Sequence, residues 1–423
     1  MKFLHAHSIR AILAVCLASG AAYTADFAYG ADVSWLTQME ASSRVFKDST
    51  GTSRDLLDIL KTYGVNAIRL RVWVNPSDGW CGKADVIKKA KRVQAKGMRL
   101  MVDFHYSDSW ADPGKQTKPA VWASYTQDQL SKAVLDHTTD ILTTLRDSGV
   151  TVSWVQVGNE TNDGMLWPAN TGDPGGRVTV NGAARFAQLV QSGSQAVKTF
   201  DPSIPVVIHV SNGWDNGLFR WVFDSLKAKG ANWDVVGMSI YPDTSNWRTQ
   251  SAQVLANMQD MVSRYQKKVM IAEVGFAMSQ ADTSYSLLKL LLSNTKSVAS
   301  AAGLGVFYWE PEAYYGWQGY QLGVFDDAGK PTKALRAFRE ASGITRITTG
   351  PNASAPCWVH VGSGIQWHGT NPISYQIHGI QGQLFERGAA FPGATVGVLL
   401  PSGVYQVIAD DGIERKILPW VRP

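Results

Sequence analysis

Cysteine is scarce in this chain. The three residues Cys16, Cys81 and Cys357 in 423 positions allow at most one intramolecular disulfide. An excess of either charge is also missing. The net charge is only +5, too mild a surplus to point to a nucleic-acid partner. Long apolar runs are absent. The most continuous one, Ala11 to Ala18, is too short to cross a bilayer, and no later segment is apolar enough to serve as an anchor. With 45% hydrophobic and 18% charged residues, disorder is excluded as well.

The start of the chain reads as an export signal. Lys2 and Arg10 precede the apolar run, and small residues follow from Ser19 to Ala22, with cleavage expected after Ala22 or Ala25. Removal takes two positive charges and no acid, so the net charge falls from +5 to +3. The mature chain is therefore expected to be secreted, extracellular or periplasmic, with no membrane association, and to be a monomer. Cys16 leaves with residues 1–25. Cys81 and Cys357 remain, and geometry decides whether they pair.

Apolar β-type runs then alternate with helical patterns. The strands read as Gly30 to Leu36, Asn66 to Trp73, Arg99 to Tyr106, Trp154 to Glu160, Val206 to Val210, Val235 to Pro242, Val269 to Glu273 and Gly305 to Pro311. Helical spacing fills the gaps. Thr126 with Gln129 has the form of a capping box. Eight such pairs over residues 26–342 predict a (β/α)8 barrel. A doubly wound open sheet competes, but no Gly-rich phosphate turn follows the first strand. A linker is expected at 343–356, where Thr348 to Pro356 is made of small, polar and turn-forming residues. Residues 357–423 show short β-type runs and no helix of useful length, so they read as a small β module. Trp358, Trp367, Tyr375 and Trp420 in it suit either sugar stacking or a core.

In a (β/α)8 barrel, chemistry sits where strands end. Glu160 and Glu273 end the fourth and seventh strands. Two carboxyl groups facing each other there are the minimum equipment for hydrolysing a glycosidic bond. Asn159 is placed to hold a sugar 2-hydroxyl. Arg69 and Arg71 share one face of the second strand, and either could keep Glu273 ionised. His105, His209 and Tyr241 end the third, fifth and sixth strands, and Trp309 on the eighth offers a floor for a sugar ring.

Several long motifs resemble those of the endo-β-1,4-galactanases, glycoside hydrolase family 53. They are Asp103-Phe104-His105-Tyr106-Ser107-Asp108-Ser109-Trp110-Ala111-Asp112-Pro113-Gly114-Lys115-Gln116, Arg69-Leu70-Arg71-Val72-Trp73-Val74-Asn75-Pro76, Val157-Gly158-Asn159-Glu160 and Phe307-Tyr308-Trp309-Glu310-Pro311. Gly30 to Ser34 and Asn212 to Gly217 also match. The resemblance covers Gly30 to Ser342 and not the tail. It implies a retaining hydrolase with Glu160 as acid/base and Glu273 as nucleophile, acting inside the β-1,4-galactan of type I arabinogalactan and pectin. Asp103, Trp110 and Ser239 join Arg69, Arg71, His105, Asn159, His209, Tyr241 and Trp309 as expected substrate contacts. No cofactor is expected. The loop Val274 to Thr283 is short where some bacterial relatives bind calcium, so no metal is expected either. The fifth strand ends His209-Val210-Ser211, without the acidic residue the family pattern leads one to look for.

Overall fold

The computed structural model describes residues 27–170, 172–343, 358–361, 364–367, 373–391, 393–410 and 415–422. The expected signal, the linker beyond Gly343 and Cys357 lie outside them. Cys81 is buried, with Sγ 3.7 Å from the Ser34 carbonyl.

Eight parallel strands close on themselves. They are β1 (Ala28–Asp32), β2 (Ala67–Val72), β3 (Arg99–Phe104), β4 (Trp154–Val157), β5 (Val206–Val210), β6 (Val235–Ile240), β7 (Lys268–Val274) and β8 (Gly303–Trp309), with β8 pairing back onto β1. Closure rules out the open doubly wound sheet. Helices follow the strands on the outside. The longest, Gln127–Asp147, begins at Thr126, whose hydroxyl accepts from the Gln129 N–H while Gln129 accepts from the Thr126 N–H. Its apolar face at Leu130, Val134, Ile141 and Leu145 is fully buried, as the 3.6-residue period requires.

The barrel interior is built in layers. Its floor is apolar: Ala28, Ala67, Met101, Trp154, Val207, Val235, Met270 and Phe307. Phe307 fills so much of it that a Cβ on Gly30 would lie 2.2 Å from its ring. Because side chains alternate along a strand, the inward positions above the floor are Arg69, Asp103, Gln156 and His209, with Asp32 two steps above Ala28 and level with Arg69. The polar layer above the floor is thus a direct consequence of strand periodicity. One strand, β7, departs from it near its C-terminal end. The β6–β7 register shifts by one residue, from Met238 opposite Ile271 to Ser239 opposite Glu273. Without that bulge Glu273, three positions after inward Met270, would face the helices.

Two local expectations are corrected. The first strand stops at Asp32 because its carboxylate accepts from the Ser34 N–H and hydroxyl at 3.1 and 2.6 Å, and Leu36 opens a short helix, Leu36–Ala41. In the tail, Thr395 to Leu400 is a strand only over Thr395–Val396, since Gly397 takes φ 74°. The tail otherwise forms a three-stranded and a four-stranded antiparallel sheet. Trp367, Tyr375 and Trp420 are buried in its own core with Ile365, Ile377 and Val407.

Replacing Thr126 by Ala removes the cap and is expected to cost about 1 kcal/mol. Urea unfolding should show a lower midpoint with an unchanged slope.

Candidate active site

Arg69 stands at the centre of the polar layer, under 2% exposed. Its Nη1 meets Asp32 at 2.7 Å and Glu273 at 2.9 Å, and Nη2 meets Asp103 at 2.9 Å. The remaining N–H groups donate to Gln156 Oε1 and Asn159 Oδ1. Strand register prepares these contacts, with Asp32 opposite Arg69 and Asp103 opposite Gln156. Every nitrogen of the fork therefore has an acceptor, and the amides of Gln156 and Asn159 are held in one orientation. Asn159 Nδ2 donates to the Ala111 carbonyl at 2.8 Å, which leaves its second hydrogen for a ligand.

The two glutamates meet across the mouth. Glu160 sits beyond β4, where Gly158 (φ 81°) and Glu160 itself (φ 44°) turn the chain through left-handed conformations. A Cβ on Gly158 would lie 2.6 Å from Thr161. A left-handed glutamate is strained backbone of the kind found at functional sites. Carboxyl oxygens of Glu160 and Glu273 and a ring nitrogen of His209 lie within 4.8 Å of one another. Glu273 accepts from the Tyr241 hydroxyl at 2.8 Å. Ser239 Oγ lies 2.7 Å from Glu160 Oε1 and 2.7 Å from His209 Nε2.

The sequence profile of "Glycosyl hydrolase family 53" matches residues 28–338. The chain belongs to glycosyl hydrolase family 53. It is 35% identical over 311 residues to a probable arabinogalactan endo-β-1,4-galactanase A of Neosartorya fischeri, covering 68% of this chain and 85% of the relative. It is 31% identical over 335 residues to the arabinogalactan endo-β-1,4-galactanase of Thermothelomyces thermophilus, covering 73% and 98%. A solved structure of fungal β-1,4-galactanases superposes with a TM-score of 0.66 at 29% identity, covering 73% of this chain and 98% of that one. This family 53 protein is accordingly a glycoside hydrolase on a (β/α)8 barrel.

The electrostatics of the hydrolase site follow from burial. It raises Glu160 to about 7 and Glu273 to about 8, and the two also repel each other. The pair therefore retains a proton near neutrality. The donors decide which carboxyl is the anion: Glu273 has Arg69 and Tyr241, and among the described residues Glu160 has no cation in ion-pair contact. Burial and the neighbouring Glu273 hold Tyr241 well above its ordinary value, so it stays a donor. Tyr241 is 39% exposed as a residue, while its hydroxyl is held on Glu273. Burial, then Arg69, hold His209 well below 6.5, so it is neutral. His105 Nδ1 accepts from Trp73 Nε1 and the Ala111 N–H, and Nε2 faces Asp103 at 3.0 Å. It is therefore the Nε2–H tautomer. The trio Glu160, His209 and Glu273 has the spacing of a metal set. The donors do not fit one, because both His209 nitrogens are engaged and Arg69 sits on Glu273.

Of the residues expected at the site, Glu160, Glu273, Arg69, Asp103, Asn159, His209, Ser239 and Tyr241 form one connected network. His105 joins it through Asp103. Arg71 goes elsewhere: it pairs with Glu310, and Trp35, Trp73 and Trp110 stack around its guanidinium at 5.3, 5.4 and 4.3 Å. Trp110 and Trp309 meet edge to face at 5.9 Å. They line a cleft of about 450 Å³ with Trp35, Trp73, Trp80 and Tyr320. Asp32, Gln156, Glu310 and Trp35 were not anticipated. Counting alternate positions up β1 and β4 from the floor would have reached Asp32 and Gln156.

Replacing Arg69 by Ala leaves three carboxylates without their shared cation. The expected loss is about 3–5 kcal/mol of stability, measured as a reduced unfolding midpoint at pH 7.

Proposed function

We propose that this enzyme is a secreted, retaining endo-β-1,4-galactanase that cuts inside the galactan of type I arabinogalactan and pectin. The observation that carries this reading is the approach of the two carboxyl groups, with oxygens within 4.8 Å. Retaining glycosidases hold such groups ~5–5.5 Å apart, and inverting ones keep room for a water. The galactan substrate is supported by the family match over residues 28–338 and by the names of the relatives. Secretion is supported by the charged, apolar and small-residue start of the sequence.

In the mechanism, Glu160 gives its proton to the departing glycosidic oxygen while Glu273 attacks the anomeric carbon. The galactosyl unit is then esterified to Glu273. Glu160, now a carboxylate, takes a proton from water, and that water releases the sugar with its β-configuration restored. Arg69 and Tyr241 hold the Glu273 oxygens in place between the two steps. The free Asn159 hydrogen meets the sugar 2-hydroxyl, a contact that tightens in the transition state. Trp309 supports the ring. The aromatic cleft lined by Trp35, Trp73, Trp80, Trp110, Trp309 and Tyr320 offers ring faces for further sugar units, which suits cleavage within a polymer.

Glu273→Gln should lower kcat on galactan by roughly 10⁴-fold or more with polymer binding kept. Unchanged hydrolysis would remove Glu273 from the mechanism. NMR of the first product should show the β-anomer before mutarotation, and an α-anomer would refute retention. The acid must be protonated to act, so kcat/KM should fall as pH rises through about 7 to 8, where the pair loses its remaining proton. Assays on mannan and cellulose beside galactan test the substrate.

A further inference from the structure

His209 and Ser239 lie behind Glu160, and hydrogen-bond logic constrains all three. Asn159 Oδ1 is an acceptor, because Asn159 Nδ2 is committed to the Ala111 carbonyl and Arg69 Nη2 donates to Oδ1. His209 Nδ1 lies 2.9 Å from that oxygen. Two lone pairs at this distance would repel, so Nδ1 carries the hydrogen. The donors nearest Nδ1 are weak competitors. Gln156 Nε2, at 3.2 Å, has closer acceptors in Asp103 Oδ1 at 2.6 Å and the Gly158 carbonyl at 3.0 Å. The Glu160 N–H is 3.4 Å away. A neutral imidazole has one N–H, so His209 Nε2 is bare and takes the Ser239 hydroxyl hydrogen at 2.7 Å. Ser239 then offers Glu160 only lone pairs. A carboxylate 2.7 Å from them would face repulsion, whereas a carboxylic acid would donate.

We infer that His209, as the Nδ1–H tautomer, and Ser239 are positioning residues that hold the proton on Glu160 in the free enzyme. The inference rests on the reading of Glu160 as the acid. It deepens that reading by giving the site a device for keeping the acid loaded. Once the glycosidic oxygen arrives it replaces Ser239 as acceptor of that proton. After transfer, the Glu160 anion lacks a hydroxyl donor unless Ser239 abandons His209. The anion is therefore a stronger base towards the incoming water, and the same wiring serves both half-reactions. The other titratable groups facing the Glu160–Ser239–His209 chain are Arg69 from β2, Asp103 from β3 with His105 just beyond it, Asp112 from the loop after β3, and Glu273 from β7, with Tyr241 beyond β6. Of these, Asp103, Asp112 and Glu273 favour a protonated Glu160, and Arg69 opposes it.

The sign of one mutant discriminates. Ser239→Ala removes an acceptor from the acid, so the alkaline limb of kcat/KM, which reports the free enzyme, should move to lower pH by roughly half a unit or more. Ser239→Thr should return it. A limb that moves to higher pH would mean that Ser239 donates to the anion, and an unmoved limb would mean no role; either overturns the inference. A second measurement needs neither a variant nor turnover: ¹⁵N-histidine NMR of the intact enzyme should show His209 bare at Nε2, and an Nε2–H signal overturns the assignment. Failure of the underlying reading has its own signature, a Glu160→Ala enzyme that hydrolyses galactan at full rate.

Discussion

One cation in a low-dielectric layer governs this structure. Arg69 is enclosed between an apolar floor and the mouth of the barrel, where removing a charge from water costs several kcal/mol unless partners replace the water. It is compensated by Asp32, Asp103 and Glu273 and by two amide oxygens. The layer as a whole has more carboxyl groups than cations. Asp32, Asp103, Glu160 and Glu273 surround Arg69, and Glu310 and Glu312 lie with Arg71 one step higher. Burial raises Glu310 and Glu312, and Glu310 raises Glu312 further while a hydrogen bond from Glu312 holds Glu310 down, so the surplus is carried as protons. An acid that stays protonated near neutrality is a general consequence of such a layer, and local donors then distribute the protons among its members.

Backbone geometry turns that layer into a site. Period-two alternation aims Asp32, Arg69, Asp103, Gln156 and His209 inward from five consecutive strands. The shift in register between β6 and β7 adds Glu273 to the set. Glu160 and Glu310 both take left-handed conformations where their strands end. In each case the backbone bends away from the strand path, so the side chain is presented at the rim instead of following the pleat.

The larger features were legible in the sequence because they depend on local pattern. Strands such as Val206–Val210 and helices such as Ala183–Phe200 agree with their apolar spacing to the residue, and the capping box at Thr126 is present as its spacing implies. Features that depend on partners were less legible. Arg69 and Arg71 share a face, and nothing in the strand itself distinguishes them. Their height in the barrel does: Arg69 is level with Glu273, while Arg71 is one step higher and meets Glu310 beneath a cover of tryptophans. Likewise Trp367 and Trp420 carry the same chemistry whether they stack on sugars or fill a core, and only the pairing of sheets buries them.

The sequence by itself determined the alternation of strands and helices, the polar strand ends and the family to which the chain belongs, since these reside in spacing and in contiguous motifs. Only the tertiary structure decided that Glu273 faces the interior, that a single arginine holds it, and that Ser239 and His209 stand behind Glu160. Those outcomes arise from barrel closure and a one-residue slip between neighbouring strands. Both are interactions between segments far apart in the chain, with no trace in either segment alone.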